Sequence, residues 1–147
     1  MKTLLAIAAL VVCASAAGDA QTPALVTKVT YFDQATVAAA LAKGATLVSA
    51  PDMIVSGSHR DAGGQVEVHD KQIDVLYITD GSATFVTGGT LTGGRVSGPG
   101  QQLGTGITGG ETRKLVKGDV IIVPAGIPHW FKDVSSVSYF VVKVVKP

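Results

Sequence analysis

The side chains best suited to chemistry are two histidines and two carboxylates that stand within or beside short apolar segments. Glu67 and His69 are separated by one residue in residues 65–69, which alternate polar and apolar side chains as a β-strand does. Residues two apart in a strand point to the same face, so Glu67 and His69 face together while Val66 and Val68 face away. A carboxylate beside an imidazole can bind a divalent ion or transfer a proton.

The next feature is His129, which follows two turns and an apolar strand. Residues 118–128 have the sequence Gly-Asp-Val-Ile-Ile-Val-Pro-Ala-Gly-Ile-Pro, which predicts a tight turn, a buried strand and a Pro-x-Gly turn. The second turn fixes His129 at the start of the next strand, and we expect the strand beside it to lie deep in the core. Histidine is the commonest metal ligand among protein side chains, and its pKa also suits proton transfer.

The spacing of this segment resembles the second sequence motif of the cupin superfamily. Gly118, Pro124, Gly126 and His129 match the pattern Gly-x5-Pro-x-Gly-x2-His at every fixed position. The family's motif then usually has an asparagine four residues on, where this chain has Asp133. Because several positions are fixed in both type and spacing, the resemblance is far more specific than a lone histidine.

A partial first cupin motif lies upstream and includes the strand that carries Glu67. The family's pattern resembles Gly-x5-His-x-His-x3,4-Glu-x6-Gly. His69 fits the second histidine, Asp74 stands where the glutamate would be, and Gly81 closes the motif. Glu67 takes the place of the first histidine, and Asp61 falls on the opening glycine.

The resemblance spans residues 58–145 and implies an all-β fold, a double-stranded β-helix or jelly-roll barrel, to which the residues before it add one short N-terminal helix. In metal-binding cupins the two motifs bring their histidines and carboxylate onto one divalent ion inside the barrel. Carried over to this sequence, the candidate metal ligands are Glu67, His69, Asp74 and His129. Iron, manganese, nickel or zinc would suit this set, and two carboxylates favour the harder ions manganese and iron.

The resemblance also implies a function, that of a metal-dependent enzyme acting on a small organic molecule inside the barrel. Oxygenases, isomerases and lyases all occur among cupins. Glu67 could then be the catalytic general base rather than a ligand, because its side chain has one more rotatable bond than the histidine that it replaces. Other cupins have lost metal ligands, so a non-catalytic barrel that binds a sugar or another small metabolite is the alternative. A barrel with a purely structural role is a third.

Arg60 precedes the first motif and is flanked by His59 and Asp61. At the end of a strand it could form only a surface ion pair with Asp61. Alternatively, Arg60 lies at the mouth of the barrel and pairs with Glu67 or with an anionic substrate, because its planar guanidinium matches a carboxylate. Arg60 is therefore the candidate substrate-binding residue.

One helix and many short strands must position these residues. A helix is predicted over residues 33–44, since Asp33 can cap its first turn, alanines favour its interior and Gly44 suits its end. Residues 26–31 are expected to form a strand or an extended arm. Further strands are predicted over residues 46–49, 53–58, 65–69, 75–79, 82–87, 112–116, 120–123, 129–133 and 138–145.

Two further segments carry structural expectations. Residues 88–110 hold ten of the eighteen glycines, so we expect a flexible hairpin loop or a mobile flap over a pocket. Residues 139–145 are nearly continuously apolar, as in a strand covered on both sides. At a sheet edge the same run would favour pairing with a second copy, and thus a homodimer.

The first residues are typical of a secretory signal peptide. Lys2 precedes an apolar run and small residues at A-x-A spacing, and cleavage is predicted after Ala16, Ala17 or Ala20. We therefore expect a secreted or periplasmic protein. Its parts are a signal peptide in residues 1–20, an arm and helix in residues 21–45, and a barrel in residues 46–147.

Composition argues against several classes of function. Twelve Lys and Arg residues against eleven Asp and Glu residues give a formal net charge of +1, without a basic run. This balance argues against nucleic acid or an anionic membrane as the main partner and leaves a small-molecule ligand as the expected one. Cys13 is the only cysteine and lies in the predicted signal, so the mature chain has no disulfide and no thiolate ligand.

Overall fold

The computed structural model describes residues 25–146 of the chain. The predicted signal peptide in residues 1–20 lies outside the described residues and stays a prediction. Within residues 25–146, no helix combines the length and the apolar composition needed to cross a membrane.

The described chain is one helix followed by eleven strands, which confirms the predicted fold class, a double-stranded β-helix. The elements are α1 (Gln34–Lys43), β1 (Ala45–Ser49), β2 (Met53–Arg60), β3 (Val66–His69), β4 (Gln72–Thr87), β5 (Thr90–Thr92), β6 (Arg95–Gly98), β7 (Gln101–Gly104), β8 (Gly106–Thr108), β9 (Glu111–Val116), β10 (Val120–Val123) and β11 (His129–Val145). Two of the strands, β4 and β11, are longer than predicted, and each spans two segments that the sequence predicts as separate strands.

Strand β11 is the centre of the fold. It pairs antiparallel with β4 along its whole length, and with β2 over Val137 to Val144. Its first residue, His129, also lies opposite Glu67 of β3. The apolar segment over residues 139–145 is therefore paired at both edges, and its side chains are mostly buried or half-buried, although Val144 is exposed. It is not a sheet edge, so the edge argument for a homodimer does not apply to it.

The core is an apolar cluster built mainly from the long strands β4 and β11, with one residue each from β9 and β10. Phe85, Phe131 and Tyr139 make a continuous aromatic row, with ring centroids 4.7 Å and 4.8 Å apart. The cluster comprises Leu76, Ile78, Ala83, Phe85, Leu115, Val123, Phe131, Val137, Tyr139 and Val141.

The glycine-rich segment contains regular strands, so the prediction of a flexible loop or flap is wrong. Residues 88–110 contain strands β5 to β8, and β7 pairs with β3 so that Gln101 lies opposite His69. The glycines do mark turns, such as Gly93 and Gly100, which have positive φ values of 60° and 65°. The strands between these turns are held by backbone hydrogen bonds. Because this pairing does not require alternating apolar side chains, the sequence does not reveal these strands.

The helix forms where the sequence predicts it. The Asp33 carboxylate accepts a hydrogen bond from the Thr36 backbone N–H, and Gly44 ends the helix with φ of 68°. Residues 26–31, by contrast, lie outside any strand and are largely exposed. The helix packs on β2 at Gly57, and its buried residue is Ala40.

We expect Gly57→Ala to destabilise the fold, because a Cβ at this position would lie 2.7 Å from the backbone of Ala40 and Leu41. Helix α1 would have to shift, and such overpacking costs typically about 1–3 kcal/mol. Urea unfolding measures the change. Gly98→Ala is the matched control, because no heavy atom lies within 4 Å of the added Cβ there. Equal stability of the two variants would contradict this account of how the helix packs.

Candidate metal centre

Strands β3 and β11 bring three potential ligands to one place inside the barrel. Glu67 and His69 come from β3, and the pairing of the two strands sets His129 directly opposite Glu67. One donor atom from each side chain lies within 4.8 Å of the others, and the two imidazole centroids are 5.1 Å apart. This group could bind a metal ion.

The outer nitrogens of both histidines have their own acceptors. The Nδ1 atom of His129 donates to the Ile127 carbonyl oxygen at 3.1 Å, and His69 Nδ1 contacts the Gln101 side-chain oxygen. Because an amide oxygen only accepts hydrogen bonds, the proton of each neutral ring sits on Nδ1. Both Nε2 lone pairs then face the centre of the group, which is the orientation a metal ligand requires.

Asp74 lies beside this group but pairs with a residue that the sequence analysis missed. Its Oδ2 atom is 3.6 Å from the Nε2 atoms of both His69 and His129, and 2.6 Å from Lys143 Nζ. The pairing of β4 with β11 sets Asp74 opposite Lys143. Asp74 is almost completely buried, and its second oxygen has no hydrogen-bond partner in the described part of the chain.

Lys143 had a signal in the sequence. It is the one charged residue of residues 139–145, in a strand otherwise suited to burial. A lysine in such a strand needs a partner, because an unpaired buried charge is costly. The structure gives it two contacts, Asp74 and the Nε2 atom of His69 at 2.8 Å. Gln101 had no comparable signal, because its position depends on the pairing of the glycine-rich segment.

Arg60 lies at the same site and not in an isolated surface pair. Its Nη2 atom is 3.4 Å from Glu67 Oε1, and its Nε donates to the Tyr139 hydroxyl at 2.8 Å. Its guanidinium carbon lies 5.1 Å from the centroid of the Phe131 ring. These contacts hold the Arg60 side chain beside Glu67. Each carboxylate of the site therefore has its own basic partner, Arg60 for Glu67 and Lys143 for Asp74.

The electrostatics of the group keep its ligand atoms available. The contact with His69, 3.3 Å away, has the largest effect on Glu67 and, with the charge of the nearby Lys143, lowers its pKa to about 2, against the opposing effect of burial. Glu67 is therefore ionised near neutral pH. Burial lowers the pKa of His129, which keeps its ring neutral and its Nε2 atom unprotonated.

A cavity of about 220 Å³ adjoins these residues. Its walls include Arg60, Glu67, His129 and Lys143, with Phe131 on the apolar side. A larger surface depression of about 830 Å³ lies elsewhere, along β9 and β10, and none of the candidate ligands lines it. We assign the chemistry to the smaller cavity, because the candidate ligands Glu67, Asp74 and His129 line it.

Solved structures with a similar fold are diverse. An uncharacterised double-stranded β-helix protein from Klebsiella pneumoniae is 16% identical, with a TM-score of 0.52, and the match covers 80% of this chain and 91% of that one. Hydroquinone 1,2-dioxygenase from Sphingomonas sp. TTNP3 is 11% identical, with a TM-score of 0.55, and the match covers 76% of this chain and 73% of that one. The cupin domain of Schizosaccharomyces pombe Cnp3 is 18% identical, with a TM-score of 0.50, and the match covers 69% of this chain and 59% of that one.

At these identities the structural matches show the fold alone. No protein of curated function matches the sequence. The sequence profile of the cupin family, in contrast, matches residues 53–147, which include both motifs and all the candidate ligands. The chain therefore belongs to the cupin family.

Proposed function

We propose that Glu67, His69 and His129 hold a divalent metal ion, and that the protein is a metal-dependent enzyme acting on a small organic molecule. The observation that carries the proposal is the convergence of one carboxylate and two imidazoles within 4.8 Å of one another. The hydrogen bonds at both Nδ1 atoms support it, because they aim the Nε2 lone pairs inward.

The donor set fits the metals expected from the sequence. Two histidines and one carboxylate with open positions are typical of non-haem iron(II) oxygenases, and the same ligands also accept manganese, nickel or zinc. We therefore favour the oxygenase class over isomerase and lyase chemistry. Sharing a fold with a dioxygenase adds little to this argument, because one fold serves many reactions.

A low pKa makes Glu67 a better ligand than a base. A general base works best when its pKa is near the working pH, whereas the Glu67 pKa of about 2 leaves a weakly basic carboxylate. Arg60 is held at the cavity by Tyr139 and Phe131, and its remaining N–H groups can bind the carboxylate of a substrate. An ion at the site would supply Lewis-acid polarisation or, for iron, reaction with O2.

A second candidate function is metal-free binding of a small metabolite. The observation that favours it is the pairing of each carboxylate with its own cation, Glu67 with Arg60 and Asp74 with Lys143. The buried charges are therefore balanced by the chain itself. In this case the cavity binds its ligand by hydrogen bonds and ion pairs without a reaction.

Metal analysis decides between the two candidates. The chain without residues 1–20 and without a histidine tag, reconstituted with iron(II), manganese, nickel or zinc, should retain about one equivalent of metal. His69→Ala and His129→Ala should each lose it, because each removes one of three ligands. His59→Ala is the matched control, since His59 contacts Ser138 and Asp61 instead.

A metal-free wild-type protein after reconstitution would contradict the metal centre and leave metabolite binding as the function. Full metal content in either His69→Ala or His129→Ala would show that the ligand assignment is wrong. Circular dichroism spectra of the variants separate a lost ligand from a lost fold.

Gln101→Leu tests whether the contact between the Gln101 side-chain oxygen and His69 Nδ1 positions the His69 ring. Without its acceptor the ring is free to turn, so we expect metal affinity to fall by about 10- to 100-fold, the usual effect of removing such a partner. Titration calorimetry with manganese measures the change. Gln102→Leu is the control, because neighbouring residues of strand β7 point to opposite faces. Unchanged affinity in Gln101→Leu would refute this positioning role.

Arg60→Lys tests the binding of an anionic substrate. Lysine keeps the charge but loses the planar pair of donors, so we expect affinity for small carboxylates to fall by about tenfold or more. Benzoate and 4-hydroxybenzoate are suitable probes, with binding followed by NMR. Arg113→Lys is the control, because Arg113 pairs with Glu111 on β9, away from the cavity. Equal binding by the two variants would remove Arg60 from the substrate site.

A further inference from the structure

The Lys143 ammonium contacts an atom that a metal ion would need. Its Nζ atom lies 2.8 Å from His69 Nε2 and 2.6 Å from Asp74 Oδ2. An ammonium has only donors, so with a neutral His69 ring it donates a hydrogen bond to the Nε2 lone pair. That nitrogen has a single lone pair. It can accept from Lys143 or bind a metal ion, but it cannot do both.

We propose that Lys143 is a built-in cation that competes with the metal ion for this site. The inference rests on the metal centre proposed above and adds a residue that limits its affinity. Without metal, the ammonium binds His69 and neutralises Asp74. With metal, Nζ leaves His69 and keeps its contact with Asp74.

Charge supports this competition. The site holds two carboxylates, Glu67 and Asp74, each paired with a basic side chain, Arg60 and Lys143 respectively. A divalent ion added to this balanced set would lie a few ångströms from the ammonium, where screening by water is weak and like charges repel strongly. The ion can be accommodated when Lys143 Nζ moves away from His69 and stays paired with Asp74, because the flexible four-carbon side chain lines the 220 Å³ cavity and can turn within it.

The competition has a structural consequence for the metal-free protein. Asp74 is buried and has Lys143 as its cation, so the barrel does not need a metal ion to compensate this charge. Removing the lysine alone leaves an uncompensated buried carboxylate. Metal affinity must therefore be compared in two backgrounds, one with the Asp74 charge and one without it.

The test is titration calorimetry of manganese and zinc binding to the chain without residues 1–20. Lys143→Met keeps the length of the side chain and removes the charge, and we expect affinity at least tenfold above wild type. Lys117→Met is the matched control in an exposed turn and should bind as wild type does. Since Lys143→Met alone could fail to fold, the same comparison is made between Asp74→Asn and the double variant Asp74→Asn, Lys143→Met.

Each outcome decides the inference. Higher affinity on loss of Lys143, in the single or the double variant, supports it. If wild type binds no metal and Lys143→Met does, the inference stands while the metal-dependent enzyme fails. If wild type binds metal and loss of Lys143 leaves affinity equal or lower in both backgrounds, the inference is overturned and the metal centre stands. Absence of binding in every variant overturns both.

Discussion

The pairing of strand β11 with its neighbours positions most of the site. Pairing with β3 places His129 opposite Glu67, and pairing with β4 places Lys143 opposite Asp74. Hydrogen bonds on both sides of β11 leave little freedom for a register shift, and a slip of one residue would turn every side chain to the other face. The core and the ionisable group therefore depend on the same strand, so changes in its register would affect stability and chemistry together.

Much of the fold follows from local sequence signals. The helix from Gln34 to Lys43 has a capping aspartate and a terminal glycine, and most short strands lie between recognisable turns. The motif spacing also identified Glu67, His69 and His129, which the structure brings together. These predictions succeed because each depends on a few adjacent residues, or on a pattern whose spacing is itself set by turns.

The features that sequence analysis missed depend on pairing between distant segments. Gln101 belongs to a segment rich in glycine, whose strands are held by backbone groups and have no apolar pattern. Lys143 is visible in the sequence as the one charge of an apolar strand, but only the pairing of β4 with β11 reveals its role. Its partner Asp74 is far away in sequence. The cations of the two carboxylates are likewise set by strand pairing, since Arg60 and Lys143 come from two other strands.

The glycine-rich strands also affect how the site of this protein could change during evolution. Strand β7 is held by main-chain hydrogen bonds to β3, and few of its side chains belong to the core. Substitutions in this segment can thus alter the hydrogen bond to His69 while the packing of the barrel is preserved. Because the ring's environment and the barrel's stability are carried by different residues, selection could tune the reactivity of the centre with little loss of foldability.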